Sequence, residues 1–185
     1  MIKIHNSINL QNTLEIPEDN KLYLSGYAMH FNETNHNREV VIPGAFDDFF
    51  ADLKKNNIMP IFDAFHKQDY LIGAWTEIKQ DEVGLLVEGF LDLNIAEVAN
   101  NIAPLVKNGA LSGLSTEMWI DYNDIETKED HYIVKKAMLT GISLVPIPAD
   151  FQARIVLKNA LEEPKENENS TEEPKNSKIS VLFYI

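Results

Sequence analysis

The segment VGLLVEGFLDL, residues 83–93, alternates with period two. Leu85, Val87, Gly89 and Leu91 fall on one face, with Glu88 and Asp92 on the other. That pattern fits a strand with one buried and one wet face and does not fit a helix. Similar short, β-prone runs recur along the chain: KLYLSGYAM (21–29), REVVIP (38–43), IMPIFDAFH (58–66), YLIGAWTEI (70–78) and ARIVL (153–157). Residues 110–120, 131–139 and 140–146 read as three further strands, or as one interrupted ribbon. Only two stretches carry helical spacing. In PGAFDDFFADLKKNN, residues Ala45, Phe46, Phe49, Phe50 and Leu53 form a stripe, with lysines at the C-terminal end where the helix dipole favours them. The second opens at a capping pair, Asn94 and Glu97, and carries Ile95, Val98, Ala99, Ile102 and Leu105 to Gly109, with Pro104 loosening its last turn. Many short strands with two helices predict a mainly β fold with peripheral helices (α+β), a barrel or a sandwich.

The 185 residues divide by composition. Residues 1–160 read as one globular domain, and the 44% apolar content is enough for a real core. Residues 161–178, LEEPKENENSTEEPKNSK, hold six Glu, three Lys and two Pro with almost nothing apolar, and so read as an acidic, disordered linker. Residues 179–185, ISVLFYI, form a short apolar end that reads as a docking strand or a docking peptide. The net charge of −13 and the scattered Lys and Arg argue against a nucleic-acid surface. The chain has no cysteine, which excludes disulfides, thiol nucleophiles and thiolate metal sites. The opening MIKIHNSINLQNT lacks the apolar run of a secretory leader, and no stretch approaches the ~20 apolar residues of a membrane helix.

The chemistry on offer is narrow. There is no HExxH, no GxGxxG and no GxxxxGK[ST], so neither a metal nor a nucleotide cofactor is expected. GLSTE, residues 113–117, departs from a nucleophile elbow at Glu117. In NGALSGLSTEMWI, residues 108–120, strand parity puts Ser115 and Glu117 on one face and Ser112 on the other, with Glu117 roughly 6.6 Å from Ser115 along the strand. His66 closes the strand run IMPIFDAFH on the face of Phe62 and Ala64, with Asp63 turned away. The ordinary readings are a strand-end histidine and a small residue in a crowded sheet. Spacing alone does not bring His66 and Ser115 together.

The order of the pieces says more than any one of them. IPGAF, the strand-end histidine before LIG, GLLVEG, GALSGLS and SLVPIPAD follow one another over roughly residues 20–157. In this the chain resembles the prohead (capsid maturation) serine proteases of tailed phages of the HK97-like kind. The resemblance implies a herpesvirus-assemblin-like β-barrel, a Ser115 nucleophile and a His66 general base. It implies a serine endopeptidase that processes scaffold or major capsid protein, and itself, inside the procapsid in the host cytoplasm. It makes a homodimer a reasonable expectation, with no nucleic acid and no membrane as partners. Two positions depart from the family pattern. Thr116, Glu117 and Met118 follow the serine, and Gly141 stands before SLV where a glutamate is common. The third member of a triad is therefore left open between Glu117, His131 and none. The same departures keep a second reading in play, a catalytically inactive protease-like scaffold or assembly protein. A small esterase on the same barrel is a third.

Overall fold

The computed structural model describes residues 19–158. The acidic stretch 161–178 and the apolar end 179–185 lie outside these residues. Ten strands run in chain order: β1 (Lys21–His30), β2 (Glu39–Val41), β3 (Ile61–Ala64), β4 (Gly73–Gln80), β5 (Gly84–Asp92), β6 (Gly113–Trp119), β7 (Ile125–Thr127), β8 (Tyr132–Val134), β9 (Met138–Val145) and β10 (Ile155–Leu157). They form three sheets, ordered β10-β1-β5-β4, β3-β9-β6 and β2-β8-β7.

The first two sheets are joined at both ends. Ile72, just before β4, donates its N–H to Phe62 of β3, and Asp92 of β5 donates to Ile72. At the other end Leu114 of β6 donates to Ala153, and Ile155 of β10 donates to Ser112. Backbone hydrogen bonds therefore continue in a circuit, β4-β3-β9-β6-β10-β1-β5, which leaves few free edges. Leu85, Val87 and Leu91 of β5 are fully buried, as their alternation requires. They share a core with Leu24, Phe62, Leu114, Ile142 and Leu144. The Phe62 and Trp75 rings stack in this core with centroids 4.0 Å apart.

α1 (Asp47–Asn56) buries Phe49, with Phe46 buried just before it. Asp47 and Asp48 sit in its first turn and its two lysines in the last, matching the dipole. Asn57 closes it in the left-handed region, donating its N–H to Leu53. The second helical stretch is split. Pro104 has no N–H and its ring crowds the preceding turn, so Val98–Ile102 widens into a π-helical turn before α2 (Ala103–Lys107).

Several strand expectations shift, the run 131–139 among them, which gives β8 and the start of β9. β3 is shorter than residues 58–66. Pro60 cannot donate to a ladder, so pairing begins at Ile61. It ends at Ala64 because Phe65 and His66 both adopt left-handed backbone, with φ of 62° and 57°. His66 therefore stands on a turn, and strand parity does not govern where it faces. β7 is an addition: the polar DIETK segment pairs with β8 in a small hairpin.

Truncating Phe62 removes half of the buried Trp75 stack. Phe62→Ala is expected to cost about 3–5 kcal/mol of unfolding free energy, read from urea denaturation.

Candidate active site

The sheet β3-β9-β6 sets the site by register. Asp63 of β3 pairs with Ser143 of β9 in parallel, and Ser143 pairs with Ser115 of β6 in antiparallel fashion. Directly opposed residues share a face, so Asp63, Ser143 and Ser115 form one row across three strands. The next row is Ile61, Gly141 and Glu117. Phe62 and Ile142, between the rows, and Leu114, next to Ser115, belong to the core, so both rows lie on the opposite face of the sheet.

The left-handed turn at Phe65–His66 folds His66 back over these rows. His66 Nδ1 lies 3.1 Å from Glu117 Oε1 and 3.2 Å from Ser143 Oγ. Ser143 Oγ is also 2.8 Å from Glu117 Oε1 and in hydrogen-bonding contact with Asp63 Oδ1. Gln68 Nε2 donates to Glu117 Oε2 at 3.0 Å. Burial alone would raise the Glu117 carboxyl, but the hydrogen bonds from Gln68, Ser143 and His66 outweigh it and hold the group below its ordinary value. Glu117 is thus an anion beside a histidine that remains 45% exposed. Nδ1 being engaged, Nε2 is the nitrogen left for substrate chemistry.

Local sequence explains how Glu117 reaches this position. The β6–β9 register slips after Glu117, leaving Thr140 as the extra residue of a bulge. The Thr140 hydroxyl donates to the Glu117 carbonyl and pins that bulge. Gly141 clears the space opposite. A Cβ there would sit 3.3 Å from Glu117 Cδ and 3.0 Å from Ile61 Cγ1. The glycine that interrupts the expected family pattern is the room in which the Glu117 carboxylate lies.

Ser115 is partly exposed, whereas Ser143 is fully buried with its hydroxyl already engaged. Of the two serines in the row, only Ser115 is open to a substrate. Among the described residues no hydrogen bond joins Ser115 to His66. Such contacts are commonly loose before substrate binds. His131 takes no part: it pairs with its neighbour Asp130 in the β7–β8 turn. Asp63 was expected to face away from His66, and the turn overrides that parity. Ser143 and Gln68 had no local signal in the sequence. A second pair, His30 Nδ1 with Asp150 Oδ2 at 2.7 Å, lies in a narrow cleft that is also lined by Glu39, Ser115 and Thr116.

A β-rich body carrying a partly exposed serine on an outer strand, beside a histidine tied to a carboxylate, has the make-up of a serine-hydrolase site. The sequence profile described as Caudovirus prohead serine protease matches residues 9–167, and the chain belongs to that family. The prohead protease of Enterobacteria phage HK97 is 27% identical over 138 residues, spanning 74% of this chain and 60% of that protein. A probable capsid maturation protease of Lactococcus phage p2 is 40% identical over 88 residues, 46% of this chain and 48% of that one. The chain thus spans about half to three fifths of the length of these relatives. In fold it is similar to the capsid assembly protease of bacteriophage T4, with a TM-score of 0.57 and 11% identity over 66% of this chain and 80% of the other.

If Gly141 exists to house the Glu117 carboxylate, the two positions are energetically coupled. Gly141→Ala is expected to cost about 1 kcal/mol by urea unfolding. Adding Glu117→Ala should relieve part of that cost, giving a coupling of at least ~0.5 kcal/mol in the double-mutant cycle.

Proposed function

We propose that this chain is a serine endopeptidase of phage procapsid maturation, acting on the scaffold and major capsid protein and on itself. Ser115 is the nucleophile, His66 the general base, and Glu117 the carboxylate that orients His66. The observation that carries the reading is the contact between His66 Nδ1 and Glu117 Oε1 at 3.1 Å, beside the row that holds Ser115. With Nδ1–H directed at Glu117, Nε2 is the unprotonated acceptor that a serine hydroxyl needs.

The reaction follows from these positions. As Ser115 Oγ attacks the scissile carbonyl carbon, its proton passes to His66 Nε2 and the carbonyl oxygen takes the negative charge. Collapse of the tetrahedral species breaks the C–N bond, and the imidazolium returns the proton to the leaving amine. Water then repeats the sequence on the acyl-Ser115 ester. Through both halves the Glu117 carboxylate offsets the imidazolium charge. Particle maturation needs few turnovers per enzyme, so a high kcat is not required of this site. The substrates and the procapsid setting belong to this proposal, as does a homodimer. Among the described residues no helix is long and apolar enough to cross a membrane.

The rival reading, an inactive assembly module, draws on the missing Ser115–His66 hydrogen bond. A fluorophosphonate probe separates the two, because labelling that disappears with Ser115→Ala requires an activated serine. In co-expression with the cognate major capsid protein, Ser115→Ala or His66→Ala is expected to slow processing by on the order of 10⁴-fold or more. Unimpaired processing in either variant would overturn the assignment.

A further inference from the structure

The Ser143 hydroxyl has one hydrogen, yet it touches two carboxyl groups. Asp63 Oδ1 lies on one side and Glu117 Oε1, at 2.8 Å, on the other. Two anions cannot share that single hydrogen, so one of the carboxyls must bring a hydrogen of its own. Glu117 is supplied with donors on both oxygens, by Gln68 and by His66. Asp63 has no such support. It is fully buried, and its Oδ2 has no partner among the described residues. An ionised Asp63 would leave a buried charge half unsatisfied, whereas a neutral Asp63 leaves only a carbonyl-like oxygen without a donor.

We propose that Asp63 is a protonated positioning residue: it donates its carboxyl hydrogen to Ser143 Oγ, which commits the Ser143 hydrogen to Glu117 and fixes the Glu117 carboxylate against His66. The order is Asp63–OH to Ser143, Ser143–OH to Glu117, and His66 Nδ1–H to Glu117. Every hydrogen then has one acceptor. This rests on the reading of His66, Glu117 and Ser115 as the catalytic group and adds a support behind it. The groups facing Asp63 agree with a neutral acid. β9 presents the Ser143 hydroxyl, β6 the Glu117 anion, the turn His66, and the segment before β4 pairs through Leu71, which has no titratable side chain. Burial is the largest influence on the Asp63 carboxyl and raises it; the Ser143 hydrogen bond opposes that, the Glu117 charge adds to it, and His66 opposes it more weakly.

The sign of the pH dependence separates this role from a plain structural one. A carboxyl whose folded-state value is raised gives stability that is full below about pH 4, its unfolded value, and lost as pH rises toward the folded value. Asp63→Asn mimics the neutral acid and cannot ionise. The melting temperature of Asp63→Asn minus that of the wild type should therefore increase as pH is taken from about 4 to about 7. A difference that stays flat or decreases overturns the proposal. Fluorophosphonate labelling gives the second readout. Asp63→Asn is expected to slow it by no more than about tenfold, against about a hundredfold or more for Glu117→Gln. A hundredfold loss in folded Asp63→Asn would mean that Asp63 acts as an anion, which also overturns it. Should that variant fail to fold, wild-type protein labelled with ¹³C at aspartate carboxyls gives the answer by NMR. One carboxyl still protonated above about pH 5 supports the proposal, and every aspartate titrating in the ordinary range overturns it. Labelling that persists in Ser115→Ala would instead remove the catalytic reading, so the two failures are distinguishable.

Discussion

The pairing of β3, β9 and β6 underlies the rest of the site. Strands in a sheet lie ~4.8 Å apart, so residues one strand away can share a hydrogen or a small substrate atom. Here register places a buried acid, a buried hydroxyl and an open hydroxyl in one line: Asp63, Ser143 and Ser115. A slip of one residue would send all three into the core and bring Phe62, Ile142 and Leu114 to the surface. The burial of those three side chains therefore holds the polar row in place. Packing on one face of the sheet and the polar row on the other are two results of the same register.

His66 is held differently. Phe65 and His66 occupy left-handed backbone in succession, a conformation that costs roughly 1–3 kcal/mol for each non-glycine residue. The turn is closed by hydrogen bonds from Phe65 to Leu144, Lys67 to Ala64 and Tyr70 to Lys67. The imidazole contacts with Glu117 and Ser143 add to these. A relaxed strand would continue the β3 parity and carry His66 to the face of Phe62 and Ala64. The strain is what brings the imidazole over the polar row. Asn occupies several of the other left-handed positions, where its short side chain lowers the cost, but neither Phe65 nor His66 has that relief.

Much of the scaffold was legible because its signals are periodic. The alternation in residues 83–93 became β5, and the stripe through Phe46 and Phe49 became the packed face around α1. The common face of Ser115 and Glu117 also followed from parity. Features set by single residues were harder to read. Pro60 shortened β3, and Pro104 turned part of a helix into a π turn. The position of His66 could not be read because two adjacent φ angles decide it, and neither phenylalanine nor histidine advertises a left-handed turn. Ser143 was hidden by its setting, since a serine in GISLV looks like an ordinary strand residue until its partners across both strand pairs are known. Gly141 was visible as a departure from the family pattern, but its meaning needed the strand opposite, where Glu117 fills the space.

The pairings that bring the polar row together are distant in sequence. Asp63 meets Ser143 across 80 residues, and His66 meets Glu117 across 51. β3 and β9 are also parallel, so no hairpin can nucleate their pairing, and it must wait for a long loop to close. During synthesis β9 is made after both His66 and Ser115. Until then the imidazole has no Ser143 beneath it and β6 has no ladder partner on that side. The nascent chain thus carries His66, Glu117 and Ser115 unassembled until the strand that aligns them has been made.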